Sequence, residues 1–236
     1  MTLLSMAEDV AAEVGFDLPA NVATGTTADE RQLLRMFNRA SDELLRMHPW
    51  STLRTYDNST ISLVASQQSY NLPADFDRLI PDTFWDTTND RRVSGGITPV
   101  AWATGKGVGV TPVIYKRFQL LGTTIEFLDT IDADDAGDKI SIYYVSKNHC
   151  QSAGGTNQSA FAANTDTTRL DSFLLKAGVI WRFRRAKGLE WQSYRMDFQS
   201  ESARRHAQDV VPTPLNLSGG FAVVPRNIPE GNYPGG

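Results

Sequence analysis

The chain has 236 residues, 41% of them hydrophobic and 21% charged, and a chain of that length can bury about 70–75% of its unfolded surface without a disulfide or a structural metal. Its 23 basic and 27 acidic residues give a net charge of −4, which excludes a whole-chain cationic footprint for wrapping nucleic acid. One cysteine, Cys150, excludes an internal disulfide framework and a multi-cysteine zinc site.

Apolar runs such as Leu63-Val64-Ala65 are far too short to span a bilayer. The segment Met1–Asp9 lacks the basic start of a signal peptide. The expectation is a soluble protein made inside the cell, without a membrane partner.

Residues 2–15 predict a short amphipathic helix: Leu3, Met6, Ala7, Val10, Ala11 and Val14 recur every three to four positions, and Gly15 supplies the stop. After a Pro/Asn/Gly/Thr loop, Thr27-Ala28-Asp29-Glu30 has the form of a capping box. Leu33, Phe37, Ala40, Leu44 and Met47 then make one apolar stripe. His48-Pro49 ends it, because the residue before a proline is pushed out of the helical region.

From about Trp50 to Val145 the period changes from 3.6 to 2. Strands are predicted around 60–63, 68–72, 113–115, 118–121, 124–128 and 139–145, with Gly122-Thr123 as a tight hairpin turn. Short strands at short intervals suggest a small sandwich or barrel. Residues 151–167 read as a polar linker, and Thr168-Arg169-Leu170-Asp171 as a second capping box that opens a helix with Leu170, Phe173, Leu174, Ala177 and Trp181 on one face. Lys187-Gly188-Leu189-Glu190 reads as a helix stop and restart. A further helix is expected to about Val210, seamed by Trp191, Tyr194 and Phe198.

The last 25 residues differ in kind. Pro212 to Gly236 holds five of the 11 prolines and five of the 18 glycines, with only Arg226 and Glu230 charged, so no helix or long strand is expected there. Leu215, Leu217, Phe221, Val223, Val224, Ile228 and Tyr233 nevertheless make it too apolar for a simple linker. Its own contacts cannot offset an ordering entropy of roughly 1–2 kcal/mol per residue, so the segment reads as an arm that docks on a partner.

No active site emerges. His48, His149 and His206 have no companions at metal spacing. His149 and Cys150 are adjacent, and neighbours on an extended chain point to opposite faces, a poor arrangement for proton transfer. The acidic run Asp129, Asp132, Asp134, Asp135 and Asp138 lacks the calcium-loop pattern and reads as a solvated hairpin turn. Gly105-Lys106-Gly107-Val108-Gly109 lacks the Lys-Ser/Thr and helix start of a phosphate cradle, and reads as a flexible loop. No cofactor or metal is expected.

Charge, by contrast, is segregated. Between Arg169 and His206 stand nine Lys/Arg against four Asp/Glu, a local +5 that leaves −9 for the rest of the chain. Arg182, Arg184, Arg185 and Lys187 form the densest part of this basic hairpin, which reads as meeting an acidic surface of another copy or another protein. A DNA-facing role for these four is the weaker reading, since no exposed aromatics are evident between them.

Five blocks, in order, resemble head–tail adaptor (connector) proteins of tailed bacteriophages, chiefly short-tailed ones: Arg46-Met47-His48-Pro49-Trp50, the stretch from Gln67 to Leu79, Ile97-Thr98-Pro99, Tyr143 to Asn148, and Trp181 to Trp191. The resemblance spans roughly residues 28 to 210. It implies a non-enzymatic virion protein that forms a ring, usually a dodecamer, docked beneath the portal. It also implies helices around the channel, a β module outside, and contacts to tail nozzle or tail fibre proteins, with packaged DNA passing through unread. The rival expectations are a tail-nozzle or tail-completion ring component, and a small hydrolase with a β-sandwich accessory domain. The expected fold is α+β. A bundle of about four helices (1–49 and 151–211) carries an inserted small antiparallel β domain (50–150) and an extended C-terminal docking arm (212–236). On this reading the β domain is a peripheral accessory.

Overall fold

The computed structural model describes residues 1–17, 19–95, 97–107 and 116–209. In chain order these form α1 (Leu3–Val14), α2 (Ala28–Met47), a 3-10 turn (Ser51–Leu53), β1 (Arg54–Ser62), β2 (Ser69–Asn71), β3 (Phe76–Leu79), β4 (Trp85–Asp86), β5 (Arg91–Arg92) and β6 (Ser94–Gly95). They continue with α3 (Pro99–Gly107), β7 (Arg117–Leu121), β8 (Thr124–Phe127), β9 (Lys139–Ser146), β10 (Cys150–Gln151), β11 (Asn157–Gln158), β12 (Thr167–Thr168), α4 (Ser172–Ala186) and α5 (Gln192–Asp209). The fold is α+β. The strand expected at 113–115 and the arm at 212–236 lie outside the described residues.

Helix boundaries follow local chemistry. Thr2 caps α1 by accepting from the Ser5 amide, and Gly15 ends it. The capping box of α2 forms in both directions: Thr27 takes the Glu30 amide, and Glu30 reaches back to the Thr27 amide. These bonds hold the Glu30 carboxyl below its ordinary range. The cap of α4 is Asp171, three residues later than expected, because its Oδ1 takes two amides, Phe173 at 2.9 Å and Leu174 at 3.1 Å. Phe173, expected on the buried face, is 54% exposed, whereas Leu170, Leu174 and Trp181 of that face are buried as expected; Leu175, Gly178, Val179 and Ile180 turn inward with them.

α4 packs against α1, α2 and α5. The approach is closest at Gly178, where a β-carbon would stand 3.2 Å from the Phe198 ring and 3.4 Å from Ala40 Cβ. Leu3, Met6, Val10, Leu33, Phe37, Leu44, Leu175, Val179 and Phe183 lie in the cluster built around these helices. Trp50, Leu53, Val145 and Cys150, from the 50–150 stretch, belong to it as well.

A second apolar cluster is shared by two sheets. One runs β1-β9-β4-β5 with β3 also on β9, and the other runs β2-β8-β7-β6. Ile61, Ile140, Ile142 and Tyr144 of the first meet Tyr70, Phe118, Ile125 and Phe127 of the second. The Gly122-Thr123 turn joins β7 to β8 with Leu121 opposite Thr124, as expected. One pair, β6 with β7, is parallel, so the β region is not purely antiparallel. The acidic run before β9 is not a hairpin turn: β8 and β9 belong to different sheets, and the run crosses between them. Asp135 and Asp138 of the run, with Asp86 of β4, surround Lys116 at 3.0, 3.7 and 3.4 Å. Burial would lower the Lys116 pKa, but the three carboxylates outweigh it and raise it.

Two stretches read as loops are ordered by polar contacts. Of the stretch Gly105–Gly109 expected as a flexible loop, Gly105-Lys106-Gly107 is the end of α3, while residues 108 and 109 lie outside the described set. In the 151–167 stretch, β10 is flanked by β11 and β12. Buried Asp166 takes the amides of Ala162 and Ala163, Asn164 Oδ1 takes those of Val22 and Ala23, and Asn38 of α2 takes that of Phe161. Turn composition marked these as irregular, and side chains from distant positions fix them.

Candidate functional site

The four cations of the basic hairpin reach different settings. Arg182 is only 7% exposed. It donates to the Gly178 carbonyl, pairs with Glu43 of α2, and lies 4.4 Å from the Trp181 ring centroid. Burial and nearby Arg39 lower its pKa to about 10, so it stays protonated at neutral pH. Its place inside the chain removes it from any surface patch.

The other three stand where α4 turns into α5. Gly188, at φ +71°, adopts the left-handed conformation that ends α4. The Leu189 amide returns to the Arg184 carbonyl and the Gly188 amide to that of Arg185, the paired bonds of a Schellman close. Glu190 then caps α5 by accepting from the Ser193 amide and hydroxyl, which lowers its pKa.

On this elbow Arg184 donates to the Glu190 carbonyl at 2.6 Å and lies 4.3 Å over Tyr194; Arg185 lies 5.2 Å over Trp191. Lys187 is tied to Asp29 of α2 at 2.7 Å. A residue the sequence did not single out, Arg195, extends the series 5.8 Å from Trp181. Arg184, Arg185 and Arg195 have no carboxylate ion pair among the described residues. Beside them Leu189 is 44% and Met196 69% exposed. The elbow is thus a mixed patch of guanidinium groups stacked on aromatics, rimmed by apolar side chains. The aromatics that stand among the cations come from α4 (Trp181), from the turn (Trp191) and from α5 (Tyr194).

The end of α5 is also pinned. Asp209 takes the Ser51 amide at 2.7 Å and its hydroxyl, and His206 stacks on His48 at 3.8 Å between centroids, with Trp50 edge-on to both. Residues 210–236 continue from this anchored point.

The remaining chemical candidates are inert in place. Cys150 is fully buried, and burial first, then Asp166, pushes its thiol up to about 12. His149 is fully buried, and burial lowers its pKa despite Asp42 at 3.9 Å. Among the described residues no group of three or more His, Cys, Asp and Glu could hold a metal ion, and no helix is long and apolar enough to cross a membrane.

A family model described as SU10 adaptor protein matches residues 1–216, nearly the whole chain. The chain belongs to the SU10 adaptor protein family. The family is one of phage head–tail adaptors, structural proteins rather than enzymes, so the adaptor is a virion component that contacts other head or tail proteins. No curated protein matches the chain. Of the seven residues assigned to the docking arm, Leu215 falls within the family match, while Leu217, Phe221, Val223, Val224, Ile228 and Tyr233 follow it. All seven lie outside the described residues of the adaptor.

Proposed function

We propose that this adaptor acts as one copy in a homo-oligomeric ring, a dodecamer on the family resemblance, that joins the portal to the tail of a short-tailed phage and surrounds the DNA exit channel. In this reading residues 1–49 and 151–211 supply the helical body and 50–150 an inserted β domain. Residues 212–236 are the arm that reaches the portal, and the outer face meets tail nozzle or fibre proteins.

The elbow is the observation that supports self-assembly. Arginine, tryptophan, tyrosine and methionine are the residue types that dominate protein interfaces, and Arg184, Arg185, Arg195, Trp191, Tyr194 and Met196 meet on one turn of chain. The counterpart is the acidic crossover of a neighbouring copy, where Asp132 and Asp134 are exposed and carry no ion pair among the described residues.

Replacing Arg184, Arg185 and Arg195 with Glu, while keeping buried Arg182, is expected to leave the fold intact and block ring formation in native mass spectrometry. Adding Asp132→Arg and Asp134→Arg should restore part of it. A triple variant that assembles with wild-type stoichiometry overturns the elbow as an interface. A chain stopped after Val211 should melt like wild type but fail to co-sediment with portal rings; retained co-sedimentation overturns the arm.

A further inference from the structure

The outward side of α2 is a strongly basic surface. A helix advances about 100° per residue, so Arg31, Arg35, Arg39 and Arg46 fall within one arc of about 80°. That arc is opposite the stripe of Leu33, Phe37, Ala40 and Leu44 that faces the core. All four arginines are exposed. Arg31 makes only a 3.4 Å contact to its own Thr27 carbonyl, and none of the four pairs with a carboxylate among the described residues.

The neighbouring acids are largely engaged elsewhere. Glu43 is taken by Arg182, Asp29 by Lys187, and Glu30 by the capping box. Only Asp42 shares the arc, and because the buried His149 3.9 Å away is held neutral, Asp42 keeps its charge and the face carries four positive charges against one negative, a net +3. The rest of the arc is Ala28, with Gln32 at its edge.

We infer that this face is a contact surface for the phosphate backbone of duplex DNA. Three features favour a polyanion over a protein. The face has no apolar centre, whereas protein interfaces are apolar at their core and charge-depleted there. The elbow, by contrast, has one. The stripe is also long and straight: Arg31 to Arg46 covers about 22 Å at 1.5 Å per residue, against about 3.4 Å of axis per phosphate on each DNA strand. Guanidinium groups on flexible stems suit phosphate oxygens, which they bind through paired N–H donors. The overall charge of −4 does not oppose this. A Debye length of about 8 Å at physiological salt makes the field of the stripe local, and several acids of the β region are internally paired, as Asp86, Asp135 and Asp138 are with Lys116.

Among the described residues no groove-reading element accompanies the stripe, so contacts would hold the backbone and read no sequence. The inference rests on the adaptor reading for the source of the DNA, but not on the ring, because the stripe is complete in one chain. In a ring, the repeated stripes would add their weak contacts on one duplex.

The test is fluorescence anisotropy of the full chain with a labelled random-sequence duplex across salt. Four phosphate contacts predict a slope of log K against log salt near −3.6, at about −0.9 each, hence roughly a 150-fold loss of affinity between about 50 and 200 mM salt. Arg35→Gln should reduce the slope by about 1. The quadruple Arg→Gln variant should lose at least about tenfold in affinity at the low-salt end. Glutamine preserves helix propensity, so its circular dichroism and melting should match wild type.

Arg184→Glu/Arg185→Glu/Arg195→Glu, which is designed to break assembly, should keep the slope per chain; failure of the ring reading therefore leaves the DNA result standing. Wild-type affinity and slope in the quadruple variant overturn the inference. So does a quadruple variant that loses self-association or portal binding with DNA affinity unchanged, which would assign the face to a protein.

Discussion

Arg182 offers the sharpest separation between a residue that holds the fold and one that holds the assembly. Its guanidinium is buried among Trp181, the Gly178 carbonyl and Glu43. Arg182→Glu would place a carboxylate against a second carboxylate and a carbonyl oxygen, with no donor left for either. Leaving an uncompensated charge in that buried position costs about 3–5 kcal/mol. For chains of about 150–250 residues each kcal/mol moves Tm by roughly 2–4 °C, so a fall of about 6–20 °C is expected. Arg185→Glu, at an exposed position of the elbow, should stay within about 0.5 kcal/mol of wild type, and Arg184→Glu, which gives up the bond to the Glu190 carbonyl, should cost about 1 kcal/mol. Arg182→Met should cost far less than Arg182→Glu, because Glu43 is 44% exposed and keeps its hydration when its partner goes. Adding Glu43→Arg to Arg182→Glu should recover part of the loss as a coupling energy of about 0.5–3 kcal/mol. Thermal unfolding followed by circular dichroism, at concentrations where the chain is monomeric, reads all of these. A Tm for Arg182→Glu within about 2 °C of wild type, or no recovery from Glu43→Arg, would refute the argument that Arg182 works inside the chain.

Acid should weaken the fold through His149 and His48. Burial holds both folded-state pKa values below 6.5, joined at His48 by the charges of His206 and Arg78. Protons therefore bind first to the unfolded chain. Stability should be full above about pH 7 and fall as pH drops below 6.5, by up to about 1.4 kcal/mol per pH unit for each histidine. Urea unfolding at pH 7.5 and 5.5 should show a smaller difference in His149→Phe than in wild type; an equal difference sinks the assignment. Cys150, with its thiol pushed up to about 12 in a buried site, should resist alkylation by iodoacetamide in the native protein and react fully in urea; rapid native labelling contradicts its burial. Replacing residues 60–147 with a short linker should yield aggregate rather than a soluble helical protein. The replacement removes Val145 from the helical cluster and strips the Leu45 and His48 carbonyls of their Arg78 donor. A monomeric helical product would show that the helices need none of these.

Features fixed by neighbours in sequence were legible beforehand. The α2 capping box, the Gly15 stop, the Gly188 elbow and the Gly122-Thr123 hairpin each depend on residues within about one turn of one another, and all formed. The misses share the opposite property. Thr168 had the right spacing for a cap, but Asp171 Oδ1 took the two amides instead, and α4 started later. The 151–167 stretch has linker composition, yet Asn38 and Asn164 bond across more than 100 positions to order it. The basic hairpin was visible as a count of charges; that Arg182 turns inward depends on Gly178 and Glu43, and that Arg195 joins the elbow depends on the fold-back of α5. The arginine face of α2 was present in the i, i+4 spacing from Arg31 to Arg39, but the summed acids of the same helix masked it until the pairings of Glu43 and Asp29 were known.

The anchoring of Asp209 at Ser51 has a mechanical consequence. Tension applied to the chain beyond residue 209 is not carried by the axis of α5 alone. The two bonds to Ser51 hand part of the load to the head of β1, and the β1–β9 ladder passes it to Tyr144 on one face and Val145 on the other. A tug at the tail is therefore shared between two hydrophobic clusters, and peeling α5 off the body requires the histidine stack and the head of the central sheet to yield together. A segment that must hold while its neighbours are pulled gains from such a divided load path.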